Sequence, residues 1–150
     1  MSRFGRSWRT LQGLSWAQRR LLAHAWVLLP AVAAGVRLFG FRRMEALLLP
    51  GAGAPAGRVD AAAARLIARI VHGAANRNPF HPNCLTRSLV LCRLLRRQGL
   101  AAGLRLGVAK PGGTFAAHAW VEHGGVALSE ADSVAERYAS FNDIHEIKSA

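Results

Sequence analysis

Apolar residues recur with two different periods along the chain, and the change of period falls just after residue 99. Before it, they return every three or four positions, which is the spacing of amphipathic helices. After it, apolar and polar residues alternate one by one, as they do in strands. Helices followed by a small antiparallel sheet predict an α+β fold.

The first part of the chain predicts three helices. Ser15 begins an S-x-x-Q capping box ahead of an apolar run, so a helix should follow it. Pro30 should kink or end that helix, and a second is expected from about 31 to 49. After a Gly- and Pro-rich connector, Asp60 is placed to cap a third helix over 61–75.

The second part predicts one helix and a hairpin sheet. Residues 84–98 form a strongly periodic helix that Gly99 should stop. Strands are expected at 104–108, 115–122 and 126–130, and His123-Gly124-Gly125 should form the last turn. We divide the chain into a helical Arg-rich segment with its connector (1–57) and an α+β core (58–150).

Composition and charge limit the classes of function. With 150 residues, 51% of them hydrophobic, the chain has the size and core of one domain. The net charge is +12, carried almost entirely by Arg. These Arg residues fall between apolar positions, as on solvent faces of helices, so we expect no nucleic-acid partner. An anionic surface or an acidic polypeptide partner stays open.

The same pattern predicts no membrane span. The longest apolar run, 25–36, is interrupted by Pro30 and is shorter than the ~20 residues that a spanning helix needs. The N-terminus does not follow the order of a signal peptide either. We therefore expect a cytoplasmic protein, in which unpaired thiols are normal.

Candidate chemistry concentrates on a cysteine and a histidine. Cys84 follows Asn83, a good N-cap, so the helix dipole and free N–H groups at the helix start should stabilise its thiolate. A buried structural thiol is the alternative for Cys84, and it is the expected state of Cys92 inside the helix. His118 is the one histidine within a predicted strand and shares a face with Trp120.

The acid that would complete a triad depends on strand register. If the turn comprises three residues, Glu130 lies directly opposite His118 and Asp132 one diagonal further along. Glu130 is the preferred acid, and Asp132 is the alternative. With Cys84 as nucleophile, these residues form a Cys/His/acid constellation suited to attack on a carbonyl. The phosphate-loop and metalloprotease motifs are absent from the sequence, so we expect no nucleotide, other cofactor or metal.

Three blocks of this constellation resemble a known family. The blocks CLTRSLVLCRLLRRQG from Cys84, GVAK from Gly107 and FAAHAWVE from Phe115 resemble the transglutaminase-like lasso-peptide B proteins, over about residues 60–141. The resemblance implies a papain-like core with the catalytic Cys at a helix N-terminus, packed on a small sheet. It implies a cysteine protease that removes the leader from a ribosomal lasso precursor, with Cys84 as nucleophile and His118 as base. The family acid, often Asp, falls at Glu130.

The resemblance also implies partners. Family members act on a precursor peptide beside an ATP-dependent lasso cyclase, and a small recognition domain, fused or separate, captures the leader. The helical first half predicts a stand-alone peptidase that uses a separate recognition protein. Two other functions stay open: a transglutaminase-like acyl transferase with the same triad, and a non-catalytic basic module that binds membrane or nucleic acid.

Overall fold

A computed structural model describes residues 13–51, 57–109, 116–128 and 139–140. Within these ranges the helices come first and the strands follow, which confirms the predicted α+β class. The elements are α1 (Trp16–Phe39), α2 (Phe41–Leu48), α3 (Ala61–Arg77), α4 (Cys84–Arg97), β1 (Gly103–Ala109), β2 (Ala116–His123), β3 (Val126–Ala127) and β4 (Ala139–Ser140).

The first helix, α1, begins with the predicted capping box. The hydroxyl of Ser15 accepts a hydrogen bond from the backbone N–H of Gln18, whose side chain accepts one from the N–H of Ser15. The helix then continues to Gly40, which has a φ of 82° and separates α1 from α2. The predicted second helix over 31–49 is therefore wrong in its start, because the chain breaks at Gly40 and not at Pro30.

Pro30 lies inside α1 because another side chain replaces the hydrogen bond that it removes. A proline has no N–H, so the carbonyl four residues earlier loses its helical partner. Here that carbonyl belongs to Trp26, and it accepts a hydrogen bond from Nδ2 of Asn78 at 3.3 Å. Asn78 is only 2% exposed, so this bond is shielded from water.

The other two long helices begin and end close to the predicted residues. The carboxylate of Asp60 accepts a hydrogen bond from the N–H of Ala63 at 3.0 Å and caps α3, which ends two residues beyond the predicted 61–75. The helix α4 starts at Cys84 as predicted, and Gly99, with a φ of 71°, follows its C-terminal turn.

The sheet is antiparallel throughout its described pairs and has the order β3-β2-β1-β4. The strands β1 and β2 form its centre, where Gly107 lies opposite His118 and Leu104 opposite Val121. The strand β3 ends at Ala127, so it is shorter than the predicted 126–130. The pattern did not predict β4.

One hydrophobic core joins the helices to the sheet. The helix α1 packs on α3 and α4, and α4 packs on β2. The fully or almost fully buried members of this core come from both sides of the predicted boundary at residue 57 and include Ala25, Leu29, Val32, Val71, Leu89, Leu95 and Val121. The boundary at 57 therefore does not separate two cores.

Continuity through Pro30 changes the argument about a membrane. With 24 residues, α1 is long and apolar enough, by length and composition alone, to cross a bilayer. The prediction that the apolar segment is too short to span a membrane is therefore wrong, because the helix that contains it is longer than the run 25–36. The structure nevertheless buries Ala25, Leu29 and Val32 of α1 against the rest of the core, which is a role in packing.

Candidate active site

The cysteine at the start of α4 lies in the capped position that the sequence predicted. The side chain of Asn83 accepts a hydrogen bond from the N–H of Thr86 at 2.9 Å, which makes Asn83 the N-cap and Cys84 the first helical residue. The thiol of Cys84 is free and half-buried. This position is at the end of α4 that carries the partial positive charge of the helix dipole.

Two side chains fix the loop that leads into this helix. Asn78 accepts a hydrogen bond from the N–H of Phe80 at 3.1 Å while it donates to α1, so it ties the start of the loop to that helix. Arg87 donates to the carbonyl of Pro82 at 2.9 Å and to the side chain of Asn76 at 2.8 Å. The backbone before Cys84 is therefore held from both sides.

The candidate base lies in the middle of the sheet. His118 is in β2, where the facing residue of β1 is Gly107. Partial burial lowers the pKa of His118 below its ordinary value, because desolvation penalises the imidazolium. A neutral imidazole can accept a proton, which is what a general base requires.

Three further residues support the imidazole from its own side of the sheet. The ring of Trp120 stacks on that of His118, with centroids 6.4 Å apart and planes 17° from parallel. The indole N–H of Trp120 donates to Glu122 at 3.3 Å, and Arg105 donates to the same carboxylate at 2.9 Å. Sequence reasoning missed Glu122 and Arg105, although Glu122 follows His118 by four residues, a spacing that keeps both on one face.

The helix that carries Cys84, α4, packs on β2, the strand that carries His118. The hydroxyl of Ser88 donates to the carbonyl of Ala119 at 2.9 Å. Ser88 lies one helical turn after Cys84 on the same face of α4. The turn that carries Cys84 therefore begins close to the strand residue that follows His118. Because side chains alternate along a strand, His118 projects from the face opposite Ala119, so the Ser88 bond brings the two elements together and does not itself place the imidazole beside the Cys84 thiol.

The register of the last hairpin differs from the one that favoured Glu130. Gly124 and Gly125, with φ of 57° and 78°, form a two-residue turn in which His123 pairs with Val126. The predicted three-residue turn, and with it the placement of Glu130 directly opposite His118, is therefore wrong. Two glycines allow the positive φ angles that the tighter turn needs. Glu130 and the alternative acid, Asp132, lie outside the described residues.

The comparison with protein families decides the class. The profile of the Transglutaminase-like superfamily matches residues 28–144, which is most of the chain. The chain belongs to the transglutaminase-like superfamily. This superfamily includes cysteine proteases and acyl transferases. No curated protein and no solved structure matches the chain.

Family membership agrees with the architecture around Cys84. The transglutaminase-like domain of this chain has a cysteine at a helix N-terminus and packs that helix on an antiparallel sheet. The match starts within α1, which is consistent with a core that includes this helix.

The second cysteine of this transglutaminase-like domain is a core residue. Cys92 is fully buried, and its thiol lies 3.6 Å from the carbonyl of Ala102. Burial raises the pKa of Cys92 to about 11, so its thiol is protonated at neutral pH. Cys92 is therefore unsuited to be a nucleophile, as the sequence predicted.

His123, which was predicted to lie in a turn, is a buried residue of β2. Its Nε2 accepts a hydrogen bond from the N–H of Asp60 at 2.9 Å, and its Nδ1–H donates to the carbonyl of Ala101. This pair of bonds needs the neutral Nδ1–H tautomer. His123 therefore connects the N-cap of α3 to the end of β2 and has a structural role.

Elsewhere, a cleft of about 660 Å³ separates α3 from β3, and its polar side includes Arg65, Arg69 and His72. None of its lining residues belongs to α4, so it is distinct from the Cys84 region. Within the part of the chain that the structure describes, no group of three or more His, Cys, Asp or Glu side chains could hold a metal ion.

Proposed function

We propose that this chain is a cytoplasmic cysteine peptidase that cleaves the leader from a ribosomal lasso-peptide precursor. The observation that carries the proposal is the position of Cys84, a free thiol at the capped first residue of a helix that packs on the strand of His118. Membership of a superfamily that contains cysteine proteases supports the same chemistry.

In the proposed mechanism, the thiolate of Cys84 attacks the carbonyl carbon of the scissile peptide bond. His118 takes the thiol proton and then donates it to the leaving amine. The part of the precursor after the scissile bond therefore departs, and the leader remains as a thioester on Cys84. Water, deprotonated by the same imidazole, hydrolyses the thioester and releases the leader acid. The N–H of Cys84 is a candidate oxyanion donor, because the first N–H groups of a helix have no intrahelical partner.

The surroundings of His118 suit this role. Partial burial lowers the pKa of His118, which favours the neutral imidazole that can accept a proton. Trp120 stacks on the ring and limits its orientations, and the indole N–H donates to Glu122, which also accepts a hydrogen bond from Arg105. The third member of the triad in this proposal is Glu130, with Asp132 as the alternative, and it would fix the imidazole tautomer.

The proposal extends to partners. The substrate is a lasso precursor peptide, a separate recognition protein delivers its leader, and an ATP-dependent lasso cyclase uses the released segment. The helical N-terminal part contributes to the core of the peptidase, which supports a chain that uses a separate leader-binding protein. In this proposal, nucleic acid is not a partner of the chain.

A second function is acyl transfer, which the superfamily also includes. The same thioester on Cys84 would then be attacked by a substrate amine in place of water, and a new amide would form. The two functions differ only in the acceptor, so product analysis distinguishes them.

The test uses a lasso precursor peptide, with and without a leader-recognition protein. We expect leader release by the wild-type protein, a loss of at least about a thousandfold in Cys84→Ala, and near-normal release by Cys92→Ala. Incorporation of a free amine in place of hydrolysis would assign the chain to the acyl transferases. Near-normal cleavage by Cys84→Ala would contradict Cys84 as the nucleophile of either function. Neither leader release nor amide formation by the wild type would leave a non-catalytic module.

A further inference from the structure

The helix α1 has two apolar faces, and the described core covers only one of them. The inner face is buried through Ala25, Leu29, Val32 and Gly35. On the opposite side, exposed apolar residues recur at helical spacing from Ala23 to Leu38, and exposed Arg20 separates them from Trp16 at the start of the helix. We call this set the outer face of α1, and it comprises Trp16, Ala23, Val27, Ala31, Ala34 and Leu38.

The outer face is large and exposed. Trp16 is 74%, Val27 65% and Leu38 75% exposed. The 22 steps from Trp16 to Leu38 correspond to a strip about 33 Å long, at ~1.5 Å per residue. A strip of this length exceeds the scattered apolar residues of an ordinary surface, so it indicates an interaction site.

The charges around this strip are all positive. Arg19 and Arg20 lie at one end of α1 and Arg37 at the other, and all three are exposed. The first acidic residue of the entire sequence is Glu45, which follows α1. The surface that covers the outer face is therefore expected to be anionic.

A second copy of the chain does not fit these charges. Two outer faces packed antiparallel would bring Arg19 and Arg20 of each copy against Arg37 of the other. Each copy also carries a net charge of +12, which adds to the repulsion. A membrane-spanning helix does not fit either, because it would remove Leu29 and Val32 from the core.

We propose that the outer face of α1 docks on an anionic membrane surface, with the helix parallel to the bilayer. Trp16, Val27 and Leu38 enter the boundary between headgroups and acyl chains, while Arg20 and Arg37 contact lipid phosphates. Apolar residues with Trp on one side and flanking Arg are the features of an interfacial helix. This surface is independent of Cys84, so it does not depend on the proposed peptidase activity.

The first test measures sedimentation of the full-length protein with phosphatidylcholine vesicles, with and without phosphatidylglycerol. We expect binding only to the anionic vesicles, and a loss of at least about tenfold in Val27→Glu. The matched control is Val126→Glu, the same substitution at a 52% exposed residue of β3 that lines the cleft and lies outside the outer face of α1, and it should bind like the wild type. Equal binding by both variants, or no binding by the wild type, would overturn the proposal.

A second pair of variants tests the charge. Arg20→Gln should reduce affinity for anionic vesicles about fivefold, whereas Arg69→Gln, an exposed arginine of the cleft, should not. Brominated lipids should quench the tryptophan fluorescence of the wild type, and Trp16→Phe should reduce that quenching. If brominated lipids do not quench the wild type, the proposal is overturned even if Val27→Glu fails to fold. Dimerisation that Val27→Glu abolishes, without vesicle binding, would assign the face to a second copy.

Discussion

The bond between Asn78 and the carbonyl of Trp26 predicts a specific energetic coupling with Pro30. In Asn78→Ala, the Trp26 carbonyl loses its donor and the N–H of Phe80 loses its acceptor. Asn78 itself is 2% exposed, so its side chain makes these bonds away from bulk water. At about 1–2 kcal/mol for each unsatisfied group, the free energy of unfolding should fall by about 2–4 kcal/mol.

The variant Pro30→Ala tests the reason for this loss. An alanine at position 30 supplies the backbone N–H that the Trp26 carbonyl lacks, so it can replace the donor that Asn78 provides. The cost of Asn78→Ala should therefore be smaller by about 1 kcal/mol in the Pro30→Ala background than in the wild type.

Urea unfolding of the four proteins, followed by circular dichroism, measures this double-mutant cycle. Additivity within about 0.3 kcal/mol would refute the explanation of how α1 continues through a proline. The bond between Asn78 and the Trp26 carbonyl would then not account for the continuous helix.

Three further predictions concern packing and the two histidines of β2. Gly57→Ala should lower the free energy of unfolding by about 2–4 kcal/mol, because the φ of Gly57 is 152° and a Cβ there would lie 2.6 Å from the backbone nitrogen of Ala101. The control Gly103→Ala has open space around it and should cost far less, so equal urea midpoints for the two variants would contradict this. His123→Ala should cost about 2–4 kcal/mol by leaving the Asp60 N–H and the Ala101 carbonyl unpaired; a midpoint equal to that of the wild type would show that these bonds do not stabilise the fold. The ring signals of His118, followed by NMR, should titrate below the ordinary 6.5 because burial lowers the pKa of His118, and a midpoint above 6.5 would contradict a neutral base.

Local signals in the sequence predicted the parts of the fold that local physics decides. The caps Ser15, Asp60 and Asn83 act within three residues along the chain, so their helices begin where the sequence indicates. The position of Cys84 follows from the same kind of signal. The helical and alternating periods likewise predicted the α+β order.

The errors come from contacts between residues that are distant in the sequence. The continuation of α1 through Pro30 depends on Asn78, and the burial of His123 depends on Asp60 and Ala101. The hairpin register was a choice between two turns that the pair Gly124-Gly125 equally allows. A one-residue change of register moves a side chain to the other face, which is why the argument for Glu130 failed.

The measurement that tests the central proposal most directly is trapping of the covalent intermediate. Wild-type protein is mixed with the precursor peptide and a leader-recognition protein, quenched in acid during turnover, and analysed by intact mass and peptide mapping. The account predicts a leader thioester on Cys84 that is absent from Cys84→Ala and retained in Cys92→Ala. Leader release with no covalent species at Cys84, or with the adduct on Cys92, would contradict it.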